Sequence, residues 1–142
     1  MREPTVPPQE RILLIDDDEL VAGSLREYLV RGNRCQVDVA HELSSADRLM
    51  AAQRYDVILV DPYLTGRVNS DDGALLARIR ELQPHAAIIV LTAYASPSLE
   101  VSAGSQQVAA LLTKPQPVPY LSQFVVEVCH REKPGPEIEE RP

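Results

Sequence analysis

The stretch RILLIDDD (residues 11–18) decides the fold class of this 142-residue chain. Its apolar residues are consecutive rather than alternating, which is typical of a strand buried on both faces of a parallel sheet. Three further runs of this kind follow, and a weaker, alternating run predicts an edge strand. The buried runs lie at residues 56–61, 86–91 and 109–113, and the edge strand lies at residues 35–39.

Helical periodicity fills the gaps between these runs, over residues 19–30, 44–53, 73–82, 98–107 and 120–130. The fourth of these segments contains several Ser and Gly residues and few apolar ones, so we expect a short, frayed or displaced helix there. Five strands that alternate with five helices predict an α/β fold, a doubly wound five-stranded parallel sheet with helices on both faces.

Local signals predict where two of the helices begin and which residues the first one buries. Asp18 is expected to cap the first helix and Gly32 to end it, and Ser44 or Ser45 is expected to cap the second. The spacing of the first helix predicts one inward face. That face contains Leu20, Val21, Ser24, Leu25, Tyr28 and Leu29.

Proline placement predicts the limits of the folded part. Six of the twelve prolines lie near the two ends of the chain. Proline lacks a backbone donor and fixes φ, so we expect a flexible tail at residues 1–9 and one domain at residues 10–131. Residues 132–142 are expected to be an acidic, Pro-rich tail or linker stub.

The charge balance excludes several classes of partner. The chain has 14 basic and 21 acidic residues, a formal net charge of −7. An acidic surface repels nucleic-acid phosphates and anionic lipids, so no direct nucleic-acid or membrane binding is expected. No apolar run approaches the roughly 20 residues of a spanning helix. Cys35 and Cys129 lack zinc-ligand spacing and suit reduced thiols, so we expect a cytoplasmic protein.

Polar residues follow four of the predicted strands at the end where ligands bind in such sheets. Asp16, Asp17 and Asp18 follow the first strand, Asp61 the third, Thr92 the fourth and Lys114 the fifth. Crowded carboxylates repel one another unless a cation lies among them, and oxygen ligands with open positions suit Mg²⁺. A lysine and a hydroxyl would bind phosphoryl oxygens, and a carboxylate can form an aspartyl phosphate. These residues predict metal-assisted phosphoryl transfer to a carboxylate.

Four motifs together resemble the response-regulator receiver domain, over residues 11–131. They are ILLIDDDEL, DVILVDPYL, IIVLTAYAS and LLTKP. The resemblance implies a flavodoxin-like sheet of strand order 2-1-3-4-5 and a phosphoacceptor at Asp61. It also implies that Asp16, Asp17 and Asp61 hold Mg²⁺, with the backbone carbonyl of Tyr63 as a further ligand.

The resemblance also assigns the residues around the acceptor. Thr92 matches the hydroxyl that moves onto the phosphoryl oxygen, and Lys114 matches the lysine that pairs with the phosphoryl group. Ala93, Pro115 and Leu111 flank the site, and the Lys114–Pro115 peptide bond is expected to be cis.

The resemblance implies a signalling receiver rather than an enzyme, with only self-phosphorylation and autodephosphorylation as activities. The expected phosphoryl donor is a histidine kinase or a histidine phosphotransfer protein, and the downstream protein partner is unknown. A homodimer through the face of the fourth and fifth helices is a further expectation. Whether the chain is a stand-alone receiver or part of a larger protein is open.

Two departures from the family pattern affect the expected switch. Leu111 stands where the family usually has an aromatic residue that rotates inward, so we expect a weaker rearrangement of the face formed by the fourth helix and fifth strand. The loop over residues 62–73 is longer than usual. Its residues Arg67, Asn69 and Asp71 are expected to report the phosphoryl group instead.

Two functions stay open at this point. The first is a phosphorylatable receiver, favoured by the complete set of acceptor, acidic pair, threonine and lysine. The second is a protein-interaction module on a receiver fold that signals without phosphorylation, which Leu111 and the long loop favour. A haloacid-dehalogenase-type phosphatase is excluded, because it requires a second aspartate where Tyr63 stands.

Overall fold

The computed structural model describes residues 9–33, 35–63 and 72–131, without the side chains of residues 33 and 72. Strands and helices alternate through these residues, as the sequence predicts. The elements are β1 (Arg11–Ile15), α1 (Glu19–Asn33), β2 (Gln36–Ala40), α2 (Leu43–Ala52), β3 (Val57–Val60), α3 (Asp72–Leu82), β4 (Ala87–Thr92), α4 (Pro97–Ser105), β5 (Ala110–Thr113) and α5 (Val118–Cys129).

The five strands form one parallel sheet in the order β2-β1-β3-β4-β5, which confirms the predicted fold. Ile15 pairs with Val60, Val60 pairs with Val90, and Thr92 pairs with Thr113. Since all strands run the same way, these pairs bring the residues after β1, β3 and β5 to one edge of the sheet, beside the last residue of β4.

Apolar side chains cover both faces of the sheet, because consecutive residues of a strand point to opposite faces. In β1, Leu13 and Ile15 belong to a core cluster with residues of α2, α3 and α4, whereas Ile12 and Leu14 belong to a second cluster with residues of α1 and α5. All four side chains are buried. Complete burial of a side chain of this size stabilises the fold by about 1.5–3 kcal/mol, so the uninterrupted apolar runs account for the sheet.

The predicted inward face of α1 is partly wrong. Leu20 is 79% exposed and Tyr28 is 49% exposed, whereas Ala22, Leu25 and Leu29 are buried. A 3.6-residue period places these three on one narrow stripe, and Leu20 lies well to the side of it. The helix also continues past Gly32 to Asn33.

The cap prediction is confirmed for α1 and wrong for α2. Asp18 Oδ1 accepts a hydrogen bond from the Val21 N–H at 3.2 Å. Helix α2 begins earlier than expected, at Leu43, and its N-cap residue Glu42 makes no side-chain cap bond. The helix begins at Leu43 because this residue is partly buried and packs on the core. Ser45 therefore lies within the first turn, where its Oγ donates to the Glu42 carbonyl at 3.0 Å.

Gln83 joins the end of α3 to the segment between α2 and β3. Its side chain is 4% exposed. It accepts from the Tyr55 N–H at 2.9 Å and donates to the carbonyls of Met50 at 2.9 Å and Gln53 at 2.8 Å. The bonds to Met50 and Gln53 satisfy carbonyls that the end of α2 leaves unpaired, and the bond from Tyr55 satisfies an N–H of the segment that follows.

Helix α4 is short, with nine residues, as its composition predicts. Within the described residues, no helix combines the length and the apolar character that crossing a bilayer requires. The expected tails lie almost wholly at residues 1–8 and 132–142, outside the described part of the chain.

Candidate functional site

Three charged side chains from three strand ends meet at the carboxyl edge of the sheet. Lys114 Nζ lies 2.9 Å from Asp16 Oδ2 and 3.0 Å from Asp61 Oδ2. Asp16 is 4% exposed and Asp61 is 7% exposed. Two buried carboxylates therefore share one ammonium group.

Backbone hydrogen bonds fix both carboxylates in place. The Asp61 N–H donates to the Ile15 carbonyl at 2.9 Å, which extends the pairing of β1 with β3 by one residue. Asp16 Oδ1 then accepts from the Asp18 N–H at 2.9 Å, and Asp61 Oδ1 accepts from the Tyr63 N–H at 3.0 Å. One oxygen of Asp61 is thus held by its own loop and the other faces Lys114. Asp16 approaches Lys114 with both oxygens, Oδ2 at 2.9 Å and Oδ1 at 3.3 Å.

Lys114 is positioned by the extension of β5. Its N–H donates to the Thr92 carbonyl at 2.7 Å, next to the last pair of β4 and β5. The following peptide bond, Lys114–Pro115, is cis, which confirms that prediction.

The pKa values of Asp16 and Lys114 are both raised in the folded chain. Burial raises the pKa of the Asp16 carboxyl, and the charge of Asp61 adds to the rise, although the Asp18 N–H and Lys114 oppose it. Burial alone would lower the pKa of the Lys114 ammonium, but its hydrogen bonds to the two carboxylates outweigh burial and raise it. The lysine therefore stays charged.

The donor set fits a hard divalent cation. Asp16 and Asp61 supply two buried carboxylates, and Asp17, next to Asp16 in the chain, is partly buried. Within the described residues, no group of three His, Cys, Asp or Glu side chains is arranged to hold a metal ion by itself. A cation here would need backbone carbonyl and water ligands besides the carboxylates, as Mg²⁺ ordinarily has.

Thr92 is completely buried at the end of β4, and its hydroxyl interacts with the following loop. Thr92 Oγ1 accepts from the Tyr94 N–H at 3.3 Å and donates to the Tyr94 carbonyl at 3.4 Å. Ala93, between them, is exposed. The hydroxyl is thus held by a local turn that a stronger acceptor could replace.

The two departures from the family pattern have different outcomes. Leu111 is partly buried and packs against the core cluster that includes Leu99 and Ala103 of α4. It is a packing residue without a polar group. The residues expected to report the phosphoryl group, Arg67, Asn69 and Asp71, lie outside the described residues.

Two contacts near the site were not expected from the sequence. The Tyr63 hydroxyl donates to Ser96 Oγ at 3.3 Å, and His41 Nδ1 donates to the Asp16 carbonyl at 2.9 Å. The pair Ser96–Pro97 is a recognisable helix start, since serine is a preferred N-cap and proline a preferred first residue. The contact between Ser96 and Tyr63 joins residues 33 positions apart in the chain, so a local sequence pattern does not predict it.

Comparison with known proteins identifies the fold and the family. A family model described as the response regulator receiver domain matches residues 12–125. A crystal structure of a response regulator from Burkholderia pseudomallei, with a phosphorylated aspartic acid, a calcium ion and citrate, is 34% identical with a TM-score of 0.71. That match covers 82% of this chain and 66% of the other. A CheY-like receiver domain protein from Methanospirillum hungatei JF-1 shares the fold, with a TM-score of 0.77 at 23% identity over 86% of this chain and 94% of the other.

The curated relatives are longer proteins. The alginate biosynthesis transcriptional regulatory protein AlgB of Pseudomonas syringae pv. tomato is 31% identical over 108 residues, which are 75% of this chain and 23% of AlgB. The response regulator protein FleR of Pseudomonas aeruginosa is 28% identical over 127 residues, 89% of this chain and 26% of FleR. The chain thus spans about a quarter of these two relatives. The family match, together with the observed strand order, shows that the chain belongs to the response regulator receiver domain family.

Proposed function

We propose that this receiver accepts a phosphoryl group on Asp61 with the help of Mg²⁺. The observation that carries the proposal is the buried ammonium of Lys114, which lies 3.0 Å from one oxygen of Asp61. The ammonium thus pairs directly with the carboxylate that would act as the nucleophile, in a site with little solvent. The phosphorylated aspartic acid of the Burkholderia pseudomallei relative supports the same role for Asp61 here.

The transfer forms one bond and breaks one. An oxygen of the Asp61 carboxylate attacks the phosphorus of the donor, and the bond between phosphorus and the donor atom breaks. That atom is nitrogen in a phosphohistidine and oxygen in acetyl phosphate, and it leaves with the electron pair. The product is an acyl phosphate on Asp61.

The surrounding residues stabilise the added charge. Asp16, Asp17, Asp61 and the Tyr63 carbonyl would hold Mg²⁺, which neutralises the charge of the phosphoryl oxygens when it is bound. The Burkholderia pseudomallei structure contains a calcium ion together with its phosphorylated aspartic acid, which supports the binding of a divalent cation by such a protein. The Lys114 ammonium pairs with a phosphoryl oxygen, and the Thr92 hydroxyl leaves its turn with Tyr94 to donate to another.

The proposed setting follows from this chemistry. The donor is a histidine kinase or a histidine phosphotransfer protein in the cytoplasm, and the chain passes its state to a protein partner rather than to nucleic acid directly. One proposed partner is a second copy of this chain, in a homodimer through α4 and α5. Self-phosphorylation from small donors and autodephosphorylation are its only proposed activities.

The test is the intact mass of the chain after treatment with acetyl phosphate. With Mg²⁺, we expect the mass of one added phosphoryl group on the wild type and no addition on Asp61→Asn. Asp18→Asn is the matched control, because Asp18 is an exposed carboxylate that caps α1 and lies outside the lysine pair. It should be phosphorylated like the wild type.

Unmodified wild type under these conditions would contradict the proposal. It would favour the second candidate, an interaction module that signals without phosphorylation, for which the apolar Leu111 is the specific observation. Addition that persists after removal of Mg²⁺ by chelation would contradict the role of the metal alone.

A further inference from the structure

Tyr63 contacts both the candidate acceptor and the start of α4. Its N–H donates to Asp61 Oδ1 at 3.0 Å, and its hydroxyl donates to Ser96 Oγ at 3.3 Å. The ring between these two groups is partly buried and packs against the core cluster beneath α2, α3 and α4. Tyr63 therefore joins the candidate acceptor to the start of α4 through a packed side chain.

Ser96 is the N-cap residue of α4. Its Oγ accepts from the Leu99 N–H at 3.1 Å, and its carbonyl accepts from the Glu100 N–H at 3.0 Å. A serine N-cap satisfies N–H groups that the first turn leaves unpaired. The Tyr63 hydroxyl thus binds the same oxygen that holds the first turn of the helix.

Helix α4 is held to the core by few residues. Leu99 and Ala103 are its buried residues, and Val101 is 70% exposed. Three serines and Gly104 give the nine-residue segment poor helix propensity. A helix with few buried contacts has a low free energy of local opening, so a change in one cap bond alters its position or order.

We propose that Tyr63 is a positioning residue that links the state of Asp61 to α4 through Ser96. The proposal rests on the proposed function, because phosphorylation is what changes the state of Asp61. In an acyl phosphate the Asp61 carboxyl no longer has the charge that strengthens its hydrogen bond from the Tyr63 N–H, so this bond weakens and Tyr63 moves. Leu111 packs on the same face but has no hydrogen bond to exchange, so it cannot supply this link.

The test compares amide chemical shifts of the full chain with and without beryllofluoride, a phosphoryl mimic, in the presence of Mg²⁺. In the wild type we expect changes at Asp61, Lys114 and throughout α4. In Tyr63→Phe, which keeps the ring and the backbone N–H, the changes at Asp61 and Lys114 should persist. The changes in α4 should fall to less than about half, because the lost hydrogen bond is the differential contact.

Three further variants separate the link from general damage to the helix. Tyr28→Phe removes an exposed hydroxyl on α1 and should respond like the wild type. Ser96→Gly keeps most of the capping preference but removes the oxygen, so it should respond like Tyr63→Phe. Ser96→Asn supplies an oxygen for both the cap and the phenol and should restore the wild-type response.

Two results would overturn the link. If Tyr63→Phe and Ser96→Gly show the full α4 response while beryllofluoride still shifts Asp61, the link is wrong and phosphoryl acceptance stands. If the wild type shows no change at Asp61, both the proposed function and the link fail. The two failures are thus distinguished by the signals of the site itself.

Discussion

Replacement of Lys114 by methionine is the perturbation that tests the site most severely. Lys114 is the ammonium that Asp16 and Asp61 share, and its side chain is 18% exposed. Methionine keeps most of the apolar length but leaves two buried carboxylates with no counter-charge from this position. We expect a large loss of folding stability at neutral pH.

The magnitude follows from the two hydrogen bonds that are lost. A hydrogen bond to a charged group contributes about 1.5–3 kcal/mol, and breaking a buried ion pair costs about 3–5 kcal/mol. Since Lys114 is partly exposed, we take the lower part of these ranges and expect a loss of about 3 kcal/mol. The exposed pair of Arg31 and Glu27, with side chains 77% and 65% exposed, should contribute less than about 0.5 kcal/mol.

The stability that Lys114→Met loses should become smaller at both acidic and alkaline pH. The pKa of Lys114 is raised above 10.5 in the folded chain, so its contribution is complete below 10.5 and is lost as pH rises through the folded value. The pKa of Asp16 is raised above 3.8, so lowering the pH protonates this carboxyl and removes one charge that Lys114 compensates. The difference between wild type and Lys114→Met should therefore shrink near pH 4 and at strongly alkaline pH.

Urea unfolding followed by circular dichroism measures these differences, with Arg31→Met as the control. In the background of Asp61→Asn, the cost of Lys114→Met should fall by about half, because one of the two charged partners is gone. A loss no larger than that of Arg31→Met, or one that is the same at pH 7 and pH 4, would refute the claim that Lys114 compensates buried carboxylates.

Three other predictions concern the scaffold. Gln107 has φ of 55°, in the left-handed region after α4, so Gln107→Gly should stabilise the chain by about 1 kcal/mol in urea unfolding; no gain would show that the residue is unstrained. Gln83→Leu removes three buried hydrogen bonds and should destabilise by about 3 kcal/mol; a neutral effect of the leucine would contradict this. Cys35 is buried and Cys129 is partly buried, which raises the pKa of Cys35 to about 11 and of Cys129 to about 12. Native alkylation at neutral pH should therefore be at least about 100-fold slower than in urea; equal rates would contradict the raised pKa values.

Most of the fold could be predicted because strands that are buried on both faces of a parallel sheet appear in the sequence as uninterrupted apolar runs. Runs such as residues 11–15 cannot be mistaken for an exposed segment, and parallel strands bring the residues that follow them to one edge. Asp16, Asp61 and Lys114 are therefore close in space although up to 98 positions apart in the chain. The proximity of these three side chains could be predicted from the sequence, whereas their roles in phosphoryl transfer are proposals.

The errors and omissions arise from packing that local patterns do not encode. Leu20 and Tyr28 are apolar or aromatic and fit a helical period, but α1 buries only a narrow stripe, so both are exposed. The contact between Tyr63 and Ser96 joins two residues that are 33 positions apart in the chain, so it depends on tertiary packing. Gln83 looks like an ordinary polar residue near a helix end, yet it is buried with all its bonds to backbone groups.

The most direct test of the central claim is the position of the phosphoryl group in the chain. Treatment with acetyl phosphate and Mg²⁺, followed by borohydride, reduces an acyl phosphate to an alcohol and converts the modified aspartate to homoserine. Tandem mass spectrometry of the peptides then gives its position. We predict homoserine at Asp61 alone, and none when Asp61 is replaced by asparagine. Homoserine at Asp16 or Asp17 in place of Asp61, or its absence from a treated wild type, would contradict the account.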